Sequence, residues 1–311
     1  MYSVKLISTD EKDRMLSELG ERWAFQDKAD INGVCIKLNT DAKEWREAWL
    51  ENWYAIGEGI HSHGRIFAAN SMEERGNSVK YDPLSKTAFL FNCDYYGNMK
   101  SLALAIAGDV LEDNHAIYSV HGACLEACGK GMSVIGPSGS GKTTTTYGLM
   151  RNPSFRLIAD DWHYVRFFGR MALAFSSEKN SYIRPDFAKT WKEYARLVKG
   201  AQEDSKGRAL VDVRRLVGRE RVKMDAELGA VVLLKQDRKD KRLLHELSPK
   251  EALSFLKKEN WCNPHLLVRD RRKERIREEA FRRMLSGCRI FMHNAVCTPE
   301  QSQELLLEAL F

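Results

Sequence analysis

The hydrophobic positions of this chain change period several times along its length. Between Lys43 and Ala55, Trp45, Trp49 and Trp53 recur every fourth residue. That spacing predicts a helix with all three indoles on one face, packed into a core. Lys86 to Phe91 reads as a strand and Lys100 to Asp109 as a helix. Ala116 to Leu125 predicts a strand that turns at Gly129-Lys130-Gly131 into a second strand, Met132 to Gly136. Thr144 to Arg151 reads as a helix, and Arg156 to Ala159 as a short apolar strand ending in Asp160-Asp161. Tyr164 to Phe168 and Met171 to Phe175 predict a hairpin joined at Gly169-Arg170. Residues 196–209 are polar, contain Gly200 and Gly207, and predict a mobile loop. Further on, Ala230 to Lys235 predicts a buried strand and Pro249 to Lys258 a helix. Leu266 to Leu285 predicts a longer helix with Ile276, Ala280, Met284 and Cys288 on its apolar stripe, and Pro299 to Phe311 a short amphipathic one.

One segment carries specific chemistry. Gly136-Pro137-Ser138-Gly139-Ser140-Gly141-Lys142-Thr143 fits the pattern G-x-x-x-x-G-K-[ST] in full, between a β-branched strand and a helix that opens at Thr144. Small residues let successive backbone N–H groups turn toward phosphate oxygens. The helix behind them offers unpaired N–H groups and its positive dipole end. Lys142 is placed to reach the β and γ phosphates, and Thr143 to put its hydroxyl on Mg²⁺. The expected ligands are therefore ATP and magnesium.

The acidic pair stands about seventeen residues past this loop. An apolar strand ending in acids delivers hard oxygen ligands beside the phosphates. Adjacent strand residues point to opposite faces, so Asp160 and Asp161 need not share a role. One suits the ion, and the other an acceptor hydroxyl.

Composition narrows the class. The 311 residues are 43% hydrophobic and 30% charged, with a net charge of +6. That suits anionic partners. Nothing approaches the roughly 20 apolar residues of a membrane span, and the first residues lack a signal-peptide layout, so a cytoplasmic protein with no membrane partner is expected. Seven scattered cysteines predict free thiols and neither disulfides nor zinc. Residues 269–283 mix Lys and Arg with acids. Spacings such as Glu274 to Arg277 and Glu278 to Arg282 predict a solvated, salt-bridged helix face, and no nucleic-acid motif accompanies it.

The stretch formed by His121-Gly122, the hairpin, the loop Gly136 to Thr143 and Leu157-Ile158-Ala159-Asp160-Asp161 resembles the catalytic domain of HPr kinase/phosphorylase. Asp160-Asp161 followed by His163 also resembles the acidic motif of ATP-dependent phosphoenolpyruvate carboxykinase, of the same superfamily. The likeness covers roughly residues 116–176 and continues more weakly at Val213 to Gly218 and Ala230 to Lys235. It implies a mixed, β-rich α/β fold, in which a P-loop core of HPr kinase/carboxykinase type carries N-terminal and C-terminal helical elaborations. The implied division is a mixed α/β region over residues 1–110, packed on a kinase domain over 111–311. By this resemblance Asp160 coordinates the metal, Asp161 is the catalytic base and His121 lies near the phosphates. Glu178 is a candidate third metal ligand and Arg184 a candidate donor to the transferring phosphoryl oxygens. The resemblance permits a homo-oligomer, since HPr kinases form hexamers. The chain lacks the Glu-Ile-Arg-Gly-Leu-Gly signature of those enzymes, and the carboxykinase set of arginines with a metal-binding lysine and histidine is not found. The expected activity is thus ATP-dependent transfer of the γ-phosphoryl group to a hydroxyl, on a small metabolite or a protein serine. The alternative is a nucleotide-gated regulatory protein with little transfer. Phosphoryl transfer linked to decarboxylation is a remote third option, because its site residues are missing.

Overall fold

The computed structural model describes residues 2–20, 23–201 and 203–310. The N-terminal half runs β1 (Ser3–Leu6), α1 (Thr9–Leu19), β2 (Phe25–Ile31), β3 (Val34–Thr40), α2 (Lys43–Asn52), β4 (Gly64–Ala69), β5 (Ser78–Asp82), β6 (Thr87–Phe91) and α3 (Tyr96–His115). Next come β7 (Ile117–Ala127), β8 (Lys130–Ile135), α4 (Lys142–Leu149), β9 (Phe155–Ala159), β10 (Trp162–Phe168), β11 (Met171–Ser176) and β12 (Ser181–Ile183). The chain continues through α5 (Phe187–Thr190), α6 (Ala195–Val198), β13 (Ala209–Val211), α7 (Val213–Val217), β14 (Asp225–Lys235) and β15 (Leu244–Glu246). It ends with α8 (Pro249–Lys258), α9 (Arg271–Ser286), β16 (Arg289–Asn294) and α10 (Pro299–Leu310).

The first six strands form one sheet in the order β1-β5-β6-β4-β3-β2, with β3, β4 and β6 parallel at its centre. Parallel strands are covered on both faces. Here Phe67, Phe89 and Phe91 meet Met15, Leu16 and Leu19 of α1 on one face. Ile66, Ala68 and Leu90 meet Met99, Leu102 and Ile106 of α3 on the other. The N-terminal elaboration is therefore a covered sheet, a correction to the helical one expected. Trp49 and Trp53 are buried against this core, as their spacing predicts.

The second sheet runs β11-β10-β7-β8-β14-β16-β15, with β9 also on β7. The hairpin β7–β8 turns at Cys128-Gly129, both in the left-handed region that such two-residue turns require. At the centre β14 runs parallel to both β8 and β16. Its residues alternate: Val232 and Leu234 face α4 and α10, while Val231 and Leu233 face α8 and α9. β11 pairs with β10 and also with the start of β14, which closes the strand circuit.

Helix α3 lies between the two sheets. It is buried nearly all round, and its core also takes in Trp162, Tyr164 and Leu267 from the second half. The boundary expected at residue 110 falls inside this helix, so α3 belongs to both halves.

Helix α8 begins and ends as the sequence predicts. Ser248 and Glu251 form a reciprocal cap and Pro249 sits in the first turn. The following helix, α9, starts only at Arg271 because Asp270 caps it. Its basic face corrects the solvated reading. Lys273 is buried, with Nζ 2.7 Å from Asp109, 3.0 Å from Glu112 and 2.8 Å from Asp113. Arg277 is buried as well and turns to Glu112 and Ser119 instead of Glu274. The Glu278–Arg282 pair forms at 2.9 Å. Of the segment expected as a loop over 196–209, residues 196–198 end α6 and Ala209 opens β13, while residue 202 lies outside the described residues.

Gly148 sets how closely α4 is packed. A Cβ there would lie 2.7 Å from Trp191, whose indole Nε1 donates to the Thr144 carbonyl at 2.8 Å. Gly148→Ala is expected to cost about 1–3 kcal/mol through overpacking. Urea unfolding should show a lower midpoint with an unchanged slope.

Candidate active site

Strand β8 ends at Ile135 and the chain turns into α4 through Gly136 to Gly141. Gly139 and Gly141 have φ of +82° and +94°, a backbone that side chains rarely allow. A Cβ on Gly136 would come within 2.5 Å of Ser140 Oγ and 2.9 Å of Leu234 Cβ. The loop is thus pressed against the central strand β14. No side chain caps α4. Its free N–H groups are the donors that an anion would take. Lys142 folds back, with Nζ 2.8 Å from the Gly136 carbonyl and 3.2 Å from that of Pro137. Burial lowers its pKa, partly opposed by Asp161.

The loop forms one wall of a cavity of about 620 Å³, within the roughly 300–1,000 Å³ typical of ligand sites. Ser138, Gly139, Gly141, Lys142, Thr143 and Thr144 line it. Gly136, Pro137 and Ser140 shape the loop from behind and do not line it. Asp160, Asp161, His121 and Arg184 reach the same cavity, so the structure gathers most of the residues expected from the sequence.

The two acids differ sharply. The Asp160 side chain forms no ion pair or hydrogen bond with another side chain among the described residues, although the residue is buried. Burial, then the charge of Glu178, pushes it up to about 7. Burial would also raise Asp161, but Lys100 and His121 overcome it and hold that carboxyl well below the usual range. Asp161 Oδ2 lies 2.8 Å from Lys100 Nζ and Oδ1 lies 3.1 Å from His121 Nε2. The other His121 nitrogen, Nδ1, is 2.9 Å from the carbonyl of Cys262. That carbonyl is presented by three consecutive left-handed residues, Asn260, Trp261 and Cys262. Such backbone costs roughly 1–2 kcal/mol per residue; Trp261 is held by stacking on Phe281 at 5.2 Å. His121 itself stacks on Trp162, its register partner across β7–β10.

No protein-family model matches this chain, and no curated protein matches it.

Glu178 corrects the third-ligand expectation. Its Oε2 lies 3.0 Å from Lys100 Nζ and its Oε1 accepts from Asn52 at 3.2 Å. It lines a small separate cavity behind Asp160 and not the large one. Among the described residues, no group of three or more His, Cys, Asp or Glu is placed to hold a metal. Asp160, whose carboxylate has no side-chain partner, and Thr143 line the same cavity and could hold a cation. Two protein oxygens suit Mg²⁺, which keeps waters and binds substrate phosphates.

Several contributors escaped the sequence reading. Lys100 and Ser101 reach the cavity from α3, with Tyr95 just before it. Arg208 stands opposite Arg184 at one end of the β12–β13 ribbon, beyond the pair Ile183↔Ala209. Neither arginine has an ion-pair partner among the described residues. The sequence offered no lysine–histidine pair beside the acidic motif; the fold supplies one in Lys100 and His121. The signal for Lys100 was a lone charge in an apolar helical run, Met99 to Ala107 interrupted only by Lys100 and Ser101.

His163 lies outside this chemistry. It is fully buried, with Nε2 3.1 Å from Ser133 Oγ and Nδ1 3.0 Å from the Gly122 carbonyl. Burial pushes its pKa from 6.5 down to about 4. The folded value is the lower one, so the neutral ring's contribution is complete above pH 6.5 and is lost as pH falls toward 4. Its share of the loss is about 2 kcal/mol by pH 5. His163→Gln is expected to make stability fall less steeply between pH 7 and pH 5, as measured by urea unfolding at both pH values.

Proposed function

We propose that this chain is a kinase that binds Mg-ATP on the Gly136–Thr143 loop and transfers the γ-phosphoryl group to a hydroxyl acceptor. The observation that supports it is the meeting, in one cavity, of a glycine loop with its lysine, a carboxylate without side-chain partners and an ionised carboxylate. Loop amides, the α4 N-terminus and Lys142 would hold the polyphosphate. Thr143 and Asp160 would hold Mg²⁺, which supplies charge neutralisation between the β and γ oxygens. Asp161 would orient the acceptor hydroxyl and accept its proton. A carboxylate kept ionised can do this when the transition state is loose, because the proton leaves late. Arg184 would meet the phosphoryl oxygens through its fork of donors.

The fold reading that goes with this is the HPr kinase/carboxykinase type. Tyr95, Ser101 and His265 also line the cavity. The acceptor is a hydroxyl on a small metabolite or on a protein serine. All seven cysteines are free, which agrees with a reducing, ATP-rich cytoplasm. Among the described residues no helix is long and apolar enough to cross a membrane.

A single-turnover incubation with γ-labelled ATP and candidate acceptors tests the proposal. Label on an acceptor is the expected result. Label released as phosphate would make the chain a hydrolase, and label retained on ATP would leave it a nucleotide-gated binding protein.

A further inference from the structure

Arg208 lines the cavity, yet the proposed reaction assigns it no role. It comes from the segment that reads as a mobile loop in the sequence, but its backbone is tied down. Asp204 Oδ1 accepts from the amides of Lys206 at 2.8 Å and Arg208 at 3.1 Å, and the Asp204 amide donates to the Arg208 carbonyl at 2.7 Å. The second oxygen, Oδ2, accepts from the Tyr182 hydroxyl. Gly207, at φ +65°, lets this turn close. The Arg208 guanidinium lies over the Tyr182 ring at 5.7 Å, within cation–π range. Tyr182 packs edge-on against Tyr96 at 5.7 Å and beside Gly97, where a Cβ would come within 2.7 Å of it. The arm that carries Arg208 is therefore seated on the first turn of α3.

The charges at this end of the β12–β13 ribbon are unbalanced. Arg184 and Arg208 stand opposite each other, beyond the pair Ile183↔Ala209. Like charges placed across antiparallel strands repel. No nearby acid compensates them. Asp204 is taken up by amides and a phenol, and Asp161 by Lys100 and His121. Asp186 lines the cavity without an ion pair among the described residues. Burial lowers the Lys142 pKa and the charge of Arg208 adds to that effect, so this guanidinium is in electrostatic reach of the phosphate loop.

An anion shared by both guanidiniums would relieve this repulsion, through charge-assisted and forked hydrogen bonds. The anion that the proposed reaction brings into this cavity is the γ-phosphoryl group. In a loose transition state its charge spreads over three equatorial oxygens. The phosphate loop already serves the bound triphosphate. Donors from the separate ribbon are free to act on the group that moves, and only contacts that strengthen in the transition state accelerate transfer.

We infer that Arg208 is a second catalytic arginine, donating together with Arg184 to the transferring phosphoryl group in its transition state. This inference rests on the kinase reading above.

Binding of two nucleotide complexes to the full chain tests it. One is a non-hydrolysable Mg-ATP analogue. The other is Mg-ADP with aluminium fluoride, which mimics the phosphoryl group in flight. The parent should bind the second more tightly than the first. Arg208→Gln should hold the ATP analogue within about threefold of the parent, and lose about 100-fold in affinity for the aluminium fluoride complex and in single-turnover rate. Arg208→Lys keeps the charge without the fork and should recover part of both losses. Arg208 is half-buried and its guanidinium makes no hydrogen bond among the described residues, so both variants should unfold at nearly the parent's urea midpoint. Undiminished binding of the aluminium fluoride complex by Arg208→Gln would overturn the inference. So would an equal loss for both complexes, which would make Arg208 a ground-state contact, or a parent that shows no preference for the mimic. Failure of the parent to bind the Mg-ATP analogue would instead overturn the kinase reading.

Discussion

Asp161→Asn will bind Mg-ATP about as tightly as the parent and transfer its γ-phosphoryl group about 100- to 1,000-fold more slowly. The change keeps the shape of the side chain and removes its charge. The phosphate contacts proposed for the loop amides, Lys142 and the α4 N-terminus would not involve this residue, so the affinity should be preserved. On the proposed reaction, what is lost is the oxygen that would take the acceptor's proton, together with the charge that Lys100 and His121 hold in place at 2.8 and 3.1 Å. Fluorescent-nucleotide titration and single-turnover transfer separate the two effects. Unchanged transfer would remove Asp161 from the mechanism, and a parallel loss of nucleotide affinity would assign it to binding.

Lys142→Ala carries the other large effect. Turnover should fall by about 1,000-fold or more, and ATP affinity should weaken as well. The ammonium bridges the Gly136 and Pro137 carbonyls, so it is already largely withdrawn from water. Moving from two carbonyls to phosphate oxygens exchanges neutral acceptors for charged ones, and charge-assisted hydrogen bonds are roughly twice as strong. A pure Lys142→Ala preparation with normal turnover would count decisively against the phosphate-loop mechanism.

The parts of the site that were legible from sequence are those whose chemistry is local. Gly136 to Thr143 is contiguous, and its geometry is dictated by the glycines within it. Asp160-Asp161 was legible because an apolar strand led into it. Lys100 was not: the apolar run around it hints at burial, but its partners lie 61 and 78 residues away, so nothing local says what it pairs with. Glu178 was misassigned for the same reason: only the fold shows that an ammonium and an amide already occupy its oxygens. Likewise, Lys273 and Arg277 read as part of a solvated stripe until α3 supplies Asp109, Glu112 and Asp113. Most of the N-terminal sheet also escaped. Its central strands are buried on both faces, so Gly64 to Ala69 lacks the alternation that marks a half-exposed strand. By contrast, α8 and α10 carry their own caps or amphipathic stripes and were read almost to the residue.

The placement of α3 ties the two halves of this chain together more closely than any linker would. A fragment beginning after residue 115 would expose Trp162, Tyr164 and Leu267 to water and would leave Asp161 without its ammonium. Any exchange of the N-terminal half with another protein would therefore have to import a lysine at the equivalent turn of its last helix. Recombination that ignored this would leave the loop and Asp161 in place but without the ammonium that orients Asp161.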